Sequence, residues 1–357
     1  MSKFLTKKYA GLSPYTPGEQ PKEREYIKLN TNESPFPPSK NAILRAREEA
    51  ERLMLYSDPE CKELAAMLSR TCGVSADEVI LTNGSDEVLN FAFMAYCDEN
   101  NPAVFADITY GFYKVFAAVN NLPSTVIPLR EDFTVDVNDY IKTGGTVFIA
   151  NPNAPTGIAL SRKEIERLLS SDRNRIVVID EAYVDFGAES CIPLIREYDN
   201  LLVTGTFSKS RSMAGARLGF GIASKGIIND LTRIRYSTNP YNVNRMTMAA
   251  GVGALSDQDY FKSNCQKIIE NRTWAASELS KIGFELTNSK ANFLFAKHEK
   301  ISGEALYLAL KKNGILVRHF NAPRISEYNR ITVGSIDEMK ALVDKIKIIL
   351  EKQNEKR

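Results

Sequence analysis

The sequence predicts an α/β protein: a large domain with a mostly parallel sheet sandwiched by helices, followed by a smaller α+β domain. Three observations predict it. Short runs of branched apolar residues alternate with helical patterns between about residues 78 and 203, which implies parallel strands joined by helical crossovers. Beyond about residue 251 the rhythm changes to long helices set among shorter strands. The chain has 357 residues, 43% hydrophobic and 25% charged, which is ordinary globular composition but more than one small core holds. The expected division is an N-terminal arm (1–40), a large domain (41–250) and a small domain (251–357).

The arm holds Leu12-Ser-Pro-Tyr15-Thr-Pro-Gly18 and Leu29-Asn30-Thr31-Asn32-Glu33-Ser-Pro35. Prolines this dense block a helix and favour extended chain lying over another surface, either as a linker or as a lid. Two helical patterns follow from about 41 to 72, broken at Tyr56-Ser-Asp-Pro59. Residues 78–82 form a strand pattern, Asn83-Gly84 a tight turn, and an apolar helix opens at Ser85-Asp86. Such a junction offers free N–H groups and a positive dipole end to an anion. Ser85 reads equally well as the N-cap.

A strand at 103–107 leads to Tyr110, an aromatic able either to stack on a planar ring or to pack on the core. Residues 146–150 form another strand, entering the turn Asn151-Pro-Asn153-Ala154-Pro-Thr-Gly157, and the next helix opens with the capping box Ser161-Arg-Lys-Glu164. The apolar run 175–179 ends on Asp180-Glu181-Ala-Tyr183. An aspartate there is partly desolvated and needs a cationic partner.

The strand 201–203 leaves through Gly205, Thr206 and Ser208 to present Lys209, with Arg217 following in a run of small residues. Two readings fit. Lys209-Ser-Arg211 is a solvated basic loop, or Lys209 condenses with an aldehyde while the hydroxyls and Arg217 hold a phosphate. Pyridoxal phosphate carries both groups, and its enzymes use a Schiff-base lysine. In open α/β sheets ligands bind outside the carboxyl ends of the strands. Asn153, Asp180, Tyr183, Ser208 and Lys209 therefore converge on one crevice.

The stretch 233–250 reads as helical around a break at Pro240 and links the two domains. A long polar helix around 265–280, a strand at 293–296, a helix at 303–312 and a strand at 330–334 follow. The closing helix starts at a second capping box, Ser335 with Glu338, and has one apolar face of Met339, Leu342, Val343, Ile346 and Ile349. Arg318 and Arg330 lie near strand ends, where arginine suits capture of a carboxylate or a phosphate.

Bulk composition excludes several classes. With 46 basic and 44 acidic residues, net charge +2, there is no electrostatic case for nucleic acid or an anionic membrane. Two histidines, His298 and His319, do not make a multi-histidine metal centre, and no metal is expected. Five scattered cysteines without a C-x-x-C pair suit reduced thiols in the cytoplasm. No signal-peptide core is apparent at the N-terminus, and no run reaches the roughly 18 apolar residues of a membrane span.

Three stretches carry a family resemblance: Thr206-Phe-Ser-Lys209-Ser-x-x-Met-Ala-Gly-x-Arg217-x-Gly-Phe, Asp180-Glu-Ala-Tyr183, and Asn151-Pro-Asn-x-Pro-Thr-Gly157. Together they resemble the fold-type I, pyridoxal-phosphate aminotransferases of the aspartate aminotransferase superfamily. Matching signs from Tyr15 to Ser335 point to a branch acting on a small phosphorylated amino compound, with 2-oxoglutarate or glutamate as co-substrate. An aromatic amino acid aminotransferase and a threonine-phosphate decarboxylase are alternatives on the same fold, and a non-catalytic phosphate-binding module is the alternative outside it.

The resemblance implies roles for the residues. Lys209 would bond to the cofactor and move the α-proton, Asp180 would pair with the ring N–H, and Tyr183 would hydrogen-bond the ring oxygen. Tyr110 would stack on the ring. The cofactor phosphate would lie at Ser85 and Asp86, with Thr206, Ser208 and Arg217, and with Tyr56 reaching over from the other subunit of a homodimer. Tyr15, Asn30, Arg318 and Arg330 would bind substrate. The family's usual asparagine beside the ring oxygen is Ala154 here, so that contact passes by expectation to Asn153.

Overall fold

A computed structural model describes residues 2–354. Seven strands form the large sheet, in the order Val79–Asn83, Leu218–Ala223, Leu201–Thr206, Val177–Asp180, Thr146–Ala150, Ala103–Ala106 and Ser124–Ile127. The five from Leu201–Thr206 outward pair in parallel. Leu218–Ala223 runs antiparallel to both of its neighbours. The sheet is thus mostly parallel, as expected, with one reversed strand.

Both faces of this sheet are buried, which is why its strands are continuous branched runs. Val177 and Ile179 face helices Lys62–Cys72, Arg162–Ser171 and Arg245–Ser256 through Leu64, Leu168 and Val252. Val178 faces the opposite layer, where Ser85–Tyr96, Phe112–Val119 and Lys225–Thr238 supply Leu89, Phe116 and Leu231.

Two strands carry weak sequence signals. Ser124–Ile127 lies at the sheet edge and is largely exposed, so it lacks an apolar run. Leu218–Ala223 is interrupted by Gly219 and Gly221. Gly219 is required by contact: a Cβ there would lie 2.2 Å from the Gly84 carbonyl carbon and the Ser85 nitrogen. The linking stretch breaks around Pro240 as expected, into Lys225–Thr238 and Arg245–Ser256, the second capped by Asn244, which accepts from Thr247 N–H at 2.9 Å. Both capping boxes form, Ser161 with Glu164 and Ser335 with Glu338. Ser85 is not an N-cap: Gly84, at φ +78°, holds that position and Ser85 is the first helical residue.

The C-terminal part carries a four-stranded antiparallel sheet, Arg318–His319, Asn329–Thr332, Phe293–His298 and Phe284–Leu286. Its core joins Leu279 of Gln258–Lys281, Leu306 of Gly303–Lys312, and the expected face of Ile336–Asn354. The N-terminal arm is bound to this part of the molecule. Ile27–Lys28 pairs in parallel with Ile315–Leu316, and Arg318 donates to the carbonyls of Thr16 and Pro17 at 3.0 and 3.1 Å.

Candidate active site

At the carboxyl ends of the central strands lies a cavity open to solvent, lined by Ser85, Asp86, Tyr110, Ala150, Ala154, Asp180, Ala182, Tyr183, Thr206, Ser208, Lys209 and Arg217. Strand register assembles it, because Asp180 at the end of one strand lies beside Thr204 on the next. The Asp180 carboxylate is buried and accepts from Ala182 N–H (3.2 Å), Tyr113 O–H (3.3 Å) and Thr204 O–H (3.3 Å). Burial, and then the charge of Asp86, push it up to about 6. No cation pairs with it among the described residues.

Lys209 has no carboxylate partner among the described residues either. Its Nζ lies 3.4 Å from the Thr31 carbonyl oxygen and 5.8 Å from the centre of the Tyr183 ring. Burial, and then the charge of Arg330, pull its amine down to about 8. The cavity thus holds a depressed-pKa amine and a buried acid awaiting a cationic N–H, each favouring a specific guest group.

The third wall suits a phosphate. The N–H groups of Ser85 and Asp86, at the start of helix Ser85–Tyr96, find no partner among the described residues. Thr206 and Ser208 pair their hydroxyls at 3.0 Å, and Arg217, in a left-handed backbone conformation, closes the side. Gly84 leaves room for that arginine: a Cβ would lie 2.6 Å from Arg217 Nη2. The Asp86 carboxylate is engaged by Arg217 at 3.2 Å and by the Tyr110 hydroxyl at 2.7 Å, so Asp86 offers an anion its backbone N–H rather than its side chain. Aldehyde-seeking amine, acid and phosphate cradle match a planar pyridine ring bearing an aldehyde and a phosphate.

Several expected residues lie elsewhere. Asn153 does not line the cavity. Its amide ties the turn to the loop after strand Ala103–Ala106, Nδ2 donating to Ile108 O (2.9 Å) and Thr156 Oγ1 (3.1 Å) and Oδ1 accepting from Thr109 (2.8 Å). The neighbouring Ala154 faces the cavity instead, with a methyl. Asn30 also turns away, donating its amide to the Glu19 carbonyl at 2.8 Å, so it ties down the arm. Arg318 is spent on the arm carbonyls already described.

Tyr15 packs its ring on Phe112 at 4.3 Å. Tyr56 is 80% exposed and stacks on Tyr241 at 4.6 Å. Arg330 is held within the protein, its pKa lowered by burial. It donates to the Asn30 carbonyl at 3.1 Å, its Nε has no partner, and its guanidinium lies 5.4 Å from the Phe293 ring centre. It forms no ion pair with a carboxylate among the described residues.

Sequence reasoning missed Tyr113 and Thr204, which hold Asp180, and the two arm residues after Asn30, namely Thr31 and Asn32. Asn30 gives its carbonyl to Arg330, Thr31 gives its carbonyl to Lys209, and Asn32 gives its amide to the Tyr183 hydroxyl at 3.0 Å. The available signal was the polar run Asn30–Glu33 enclosed by prolines.

The family model described as aminotransferase class I and II matches residues 24–346. The chain is 45% identical over 355 residues to the histidinol-phosphate aminotransferase of Brachyspira hyodysenteriae, covering 98% of this chain and 100% of that one. It is 45% identical over 348 residues to the histidinol-phosphate aminotransferase of Clostridium acetobutylicum, covering 97% and 99%. The solved histidinol-phosphate aminotransferase of Sinorhizobium meliloti, in complex with pyridoxal-5'-phosphate, superposes with a TM-score of 0.87 over 96% of each chain at 23% identity, which establishes the shared fold.

Proposed function

This chain belongs to the class I and II aminotransferase family, and on that premise we propose that it exchanges an amino group between L-histidinol phosphate and 2-oxoglutarate, giving imidazole-acetol phosphate and glutamate, in histidine biosynthesis. It is a pyridoxal-phosphate-dependent transaminase. The substrate reading is supported by the names of relatives 45% identical over nearly the whole chain. The observation that carries it is Arg330, a half-buried arginine whose charge acts on Lys209, with no carboxylate partner among the described residues and a buried Nε that finds no partner among them. Such a group is suited to an anionic substituent of the substrate, a phosphate in this reading.

When bound, pyridoxal phosphate supplies a carbonyl that accepts the amino group and a ring that accepts electrons. Lys209, lowered to about 8, is neutral in about a tenth of molecules at pH 7, far more than an ordinary lysine. Its Nζ can therefore take a proton from the substrate's α-carbon and return it. Asp180, at about 6, is mainly ionised at neutral pH and would hold a proton on the ring nitrogen. Tyr183 would donate to the ring oxygen and Tyr110 would cover the ring. The backbone N–H groups of Ser85 and Asp86, the hydroxyls of Thr206 and Ser208, and Arg217 would hold the cofactor's phosphate. Tyr15, seated on Phe112, would contact the substrate.

The same reading makes the protein a homodimer. Leu53, Met54, Leu55 and Tyr56 are 52–80% exposed in one contiguous stretch, and a second copy would cover them. Tyr56 would then reach the partner's phosphate site. No described helix is long and apolar enough to cross a membrane, and all five cysteines are free; the proposed compartment is the cytoplasm.

Steady-state kinetics with histidinol phosphate, phenylalanine and threonine phosphate test the substrate. The highest kcat/KM is expected for histidinol phosphate. If it is the poorest of the three, the proposal fails.

A further inference from the structure

We infer that Asn32 is a positioning residue that aims the hydroxyl proton of Tyr183 into the cavity. Asn32 is 1% exposed and adopts φ +56°, a left-handed conformation that asparagine tolerates better than most residues. Its backbone N–H donates to Thr332 Oγ1 at 2.9 Å, and its carbonyl accepts from Asn292 Nδ2 at 3.0 Å. Thr332 and Asn292 are themselves buried, so the segment is held on both sides.

The direction of each proton follows from the donors available. Asn32 Oδ1, at 3.0 Å, is the only acceptor that the Thr332 hydroxyl proton meets among the described residues. The reverse orientation of the amide would leave that buried proton without a partner, so the oxygen end faces Thr332. Asn32 Nδ2 is therefore the end facing Tyr183, at 3.0 Å. An amide nitrogen only donates, so the tyrosine oxygen accepts and its proton remains free. Tyr183 O–H has no other acceptor among the described residues, and Tyr183 is a wall of the cavity. The proton is thus presented to whatever acceptor lies inside.

Asn153 is bonded to Ile108, Thr109 and Thr156 and Ala154 offers a methyl, so neither supplies a second donor on that stretch of wall. Donation to an oxygen of the bound ring depends on Tyr183, and the orientation of Tyr183 depends on Asn32. The inference rests on the proposed contact between Tyr183 and the ring oxygen.

The test uses the cofactor-loaded protein. The near-visible absorbance is titrated with pH and the cofactor's Kd is measured for wild type, Tyr183→Phe, Asn32→Ala and the double variant. A donor on the ring oxygen stabilises the deprotonated, more negative form of the lysine-bound cofactor, so its loss raises the titration midpoint. Tyr183→Phe and Asn32→Ala are each expected to raise it by about one unit and to weaken cofactor binding, with no further shift in the double variant. If Asn32→Ala does not fold, Thr332→Val removes the hydroxyl that fixes the amide and should raise the midpoint, whereas Thr332→Ser should restore it. A purely structural Asn32 would lower Tm and leave the midpoint at the wild-type value, or its shift would add to that of Tyr183→Phe; either result overturns the inference alone. No shift in Tyr183→Phe itself overturns both the inference and the proposed tyrosine contact.

Discussion

The amine of Lys209 lies 3.4 Å from the carbonyl oxygen of Thr31, so a lysine presented by the large sheet is met by the N-terminal arm and not by an acid. A neutral carbonyl orients an amine without neutralising its charge. Lys209 therefore keeps the lowered pKa that burial imposes, which suits a group that must both bond to an aldehyde and move a proton.

Lys209→Ala removes the amine that the cavity offers. Reconstitution with the cofactor should give no near-visible band characteristic of a lysine-bound pyridoxal, and kcat should fall by roughly 10²–10⁴-fold. Absorbance and steady-state kinetics on the same sample check both. A normal band in the variant would remove Lys209 from its role.

In the cofactor-free protein, Lys209 should also limit stability. Its folded-state value of about 8 lies below the ordinary value for lysine, so between pH 8 and 10.5 the unfolded chain binds more protons. The lysine's contribution therefore rises with pH across that window, and its penalty is fully present below pH 8. Lys209→Met should be more stable than wild type at pH 7, by on the order of 1–3 kcal/mol, and the advantage should shrink towards pH 10.5. Urea unfolding of both proteins at several pH values measures it.

Glu181 predicts a slope of opposite sign. It is buried, accepts from Ser190 at 2.6 Å, and is pushed up to about 7 chiefly by that burial. Between pH 4.5 and 7 the folded state binds the extra proton, so this residue's contribution falls as pH rises through the window. Glu181→Gln should flatten that part of the stability profile. An unchanged slope in chemical denaturation would remove Glu181 as its source.

Gly219→Ala should damage the phosphate cradle from behind. The new Cβ would meet backbone atoms of Gly84 and Ser85 at 2.2 Å, and backbone cannot move aside as a flexible side chain can. A loss of about 1–3 kcal/mol is expected, together with a higher Kd for pyridoxal phosphate as the helix start is displaced. Thermal unfolding with and without cofactor separates the two effects.

If Tyr56 acts across a dimer, Tyr56→Ala and Lys209→Ala lie in different subunits of each site. Mixing the two inactive variants under conditions that allow exchange should then restore activity, because one site of each heterodimer is intact. No recovery, with exchange confirmed by mass, would place Tyr56 outside the partner's site.

Much of the fold was legible because both faces of the central sheet are buried. Val177, Val178 and Ile179 form an unbroken apolar run whatever helix covers them. Ser124–Ile127 was not legible, since an exposed edge strand needs no apolar pattern, and Leu218–Ala223 was obscured by glycines that serve close backbone contact. In the site, Asp180 and Lys209 were legible because one ends a strand and the other lies three residues beyond one, and the strand dictates where its end points. Asn153 misled because sequence places a residue in a turn without saying which way its side chain faces. Hydrogen bonds to Ile108, Thr109 and Thr156 decided that.

From sequence alone came the α/β alternation, the lysine, acid and helix start that demand one type of cofactor, and both capping boxes. All depend on residues close together in the chain, where local pattern and turn chemistry suffice. Only the tertiary structure decided that the arm lies against the small lobe and that residues 30–32 touch Arg330, Lys209 and Tyr183 in turn. It also decided that Asn32 meets the Tyr183 hydroxyl, while Asn153, expected beside the ring oxygen, bonds to Ile108, Thr109 and Thr156. Asn32 and Thr332 are separated by 300 positions, and a hydrogen bond over that interval exists only because the folded lobes bring two buried polar groups together, where each must find a partner.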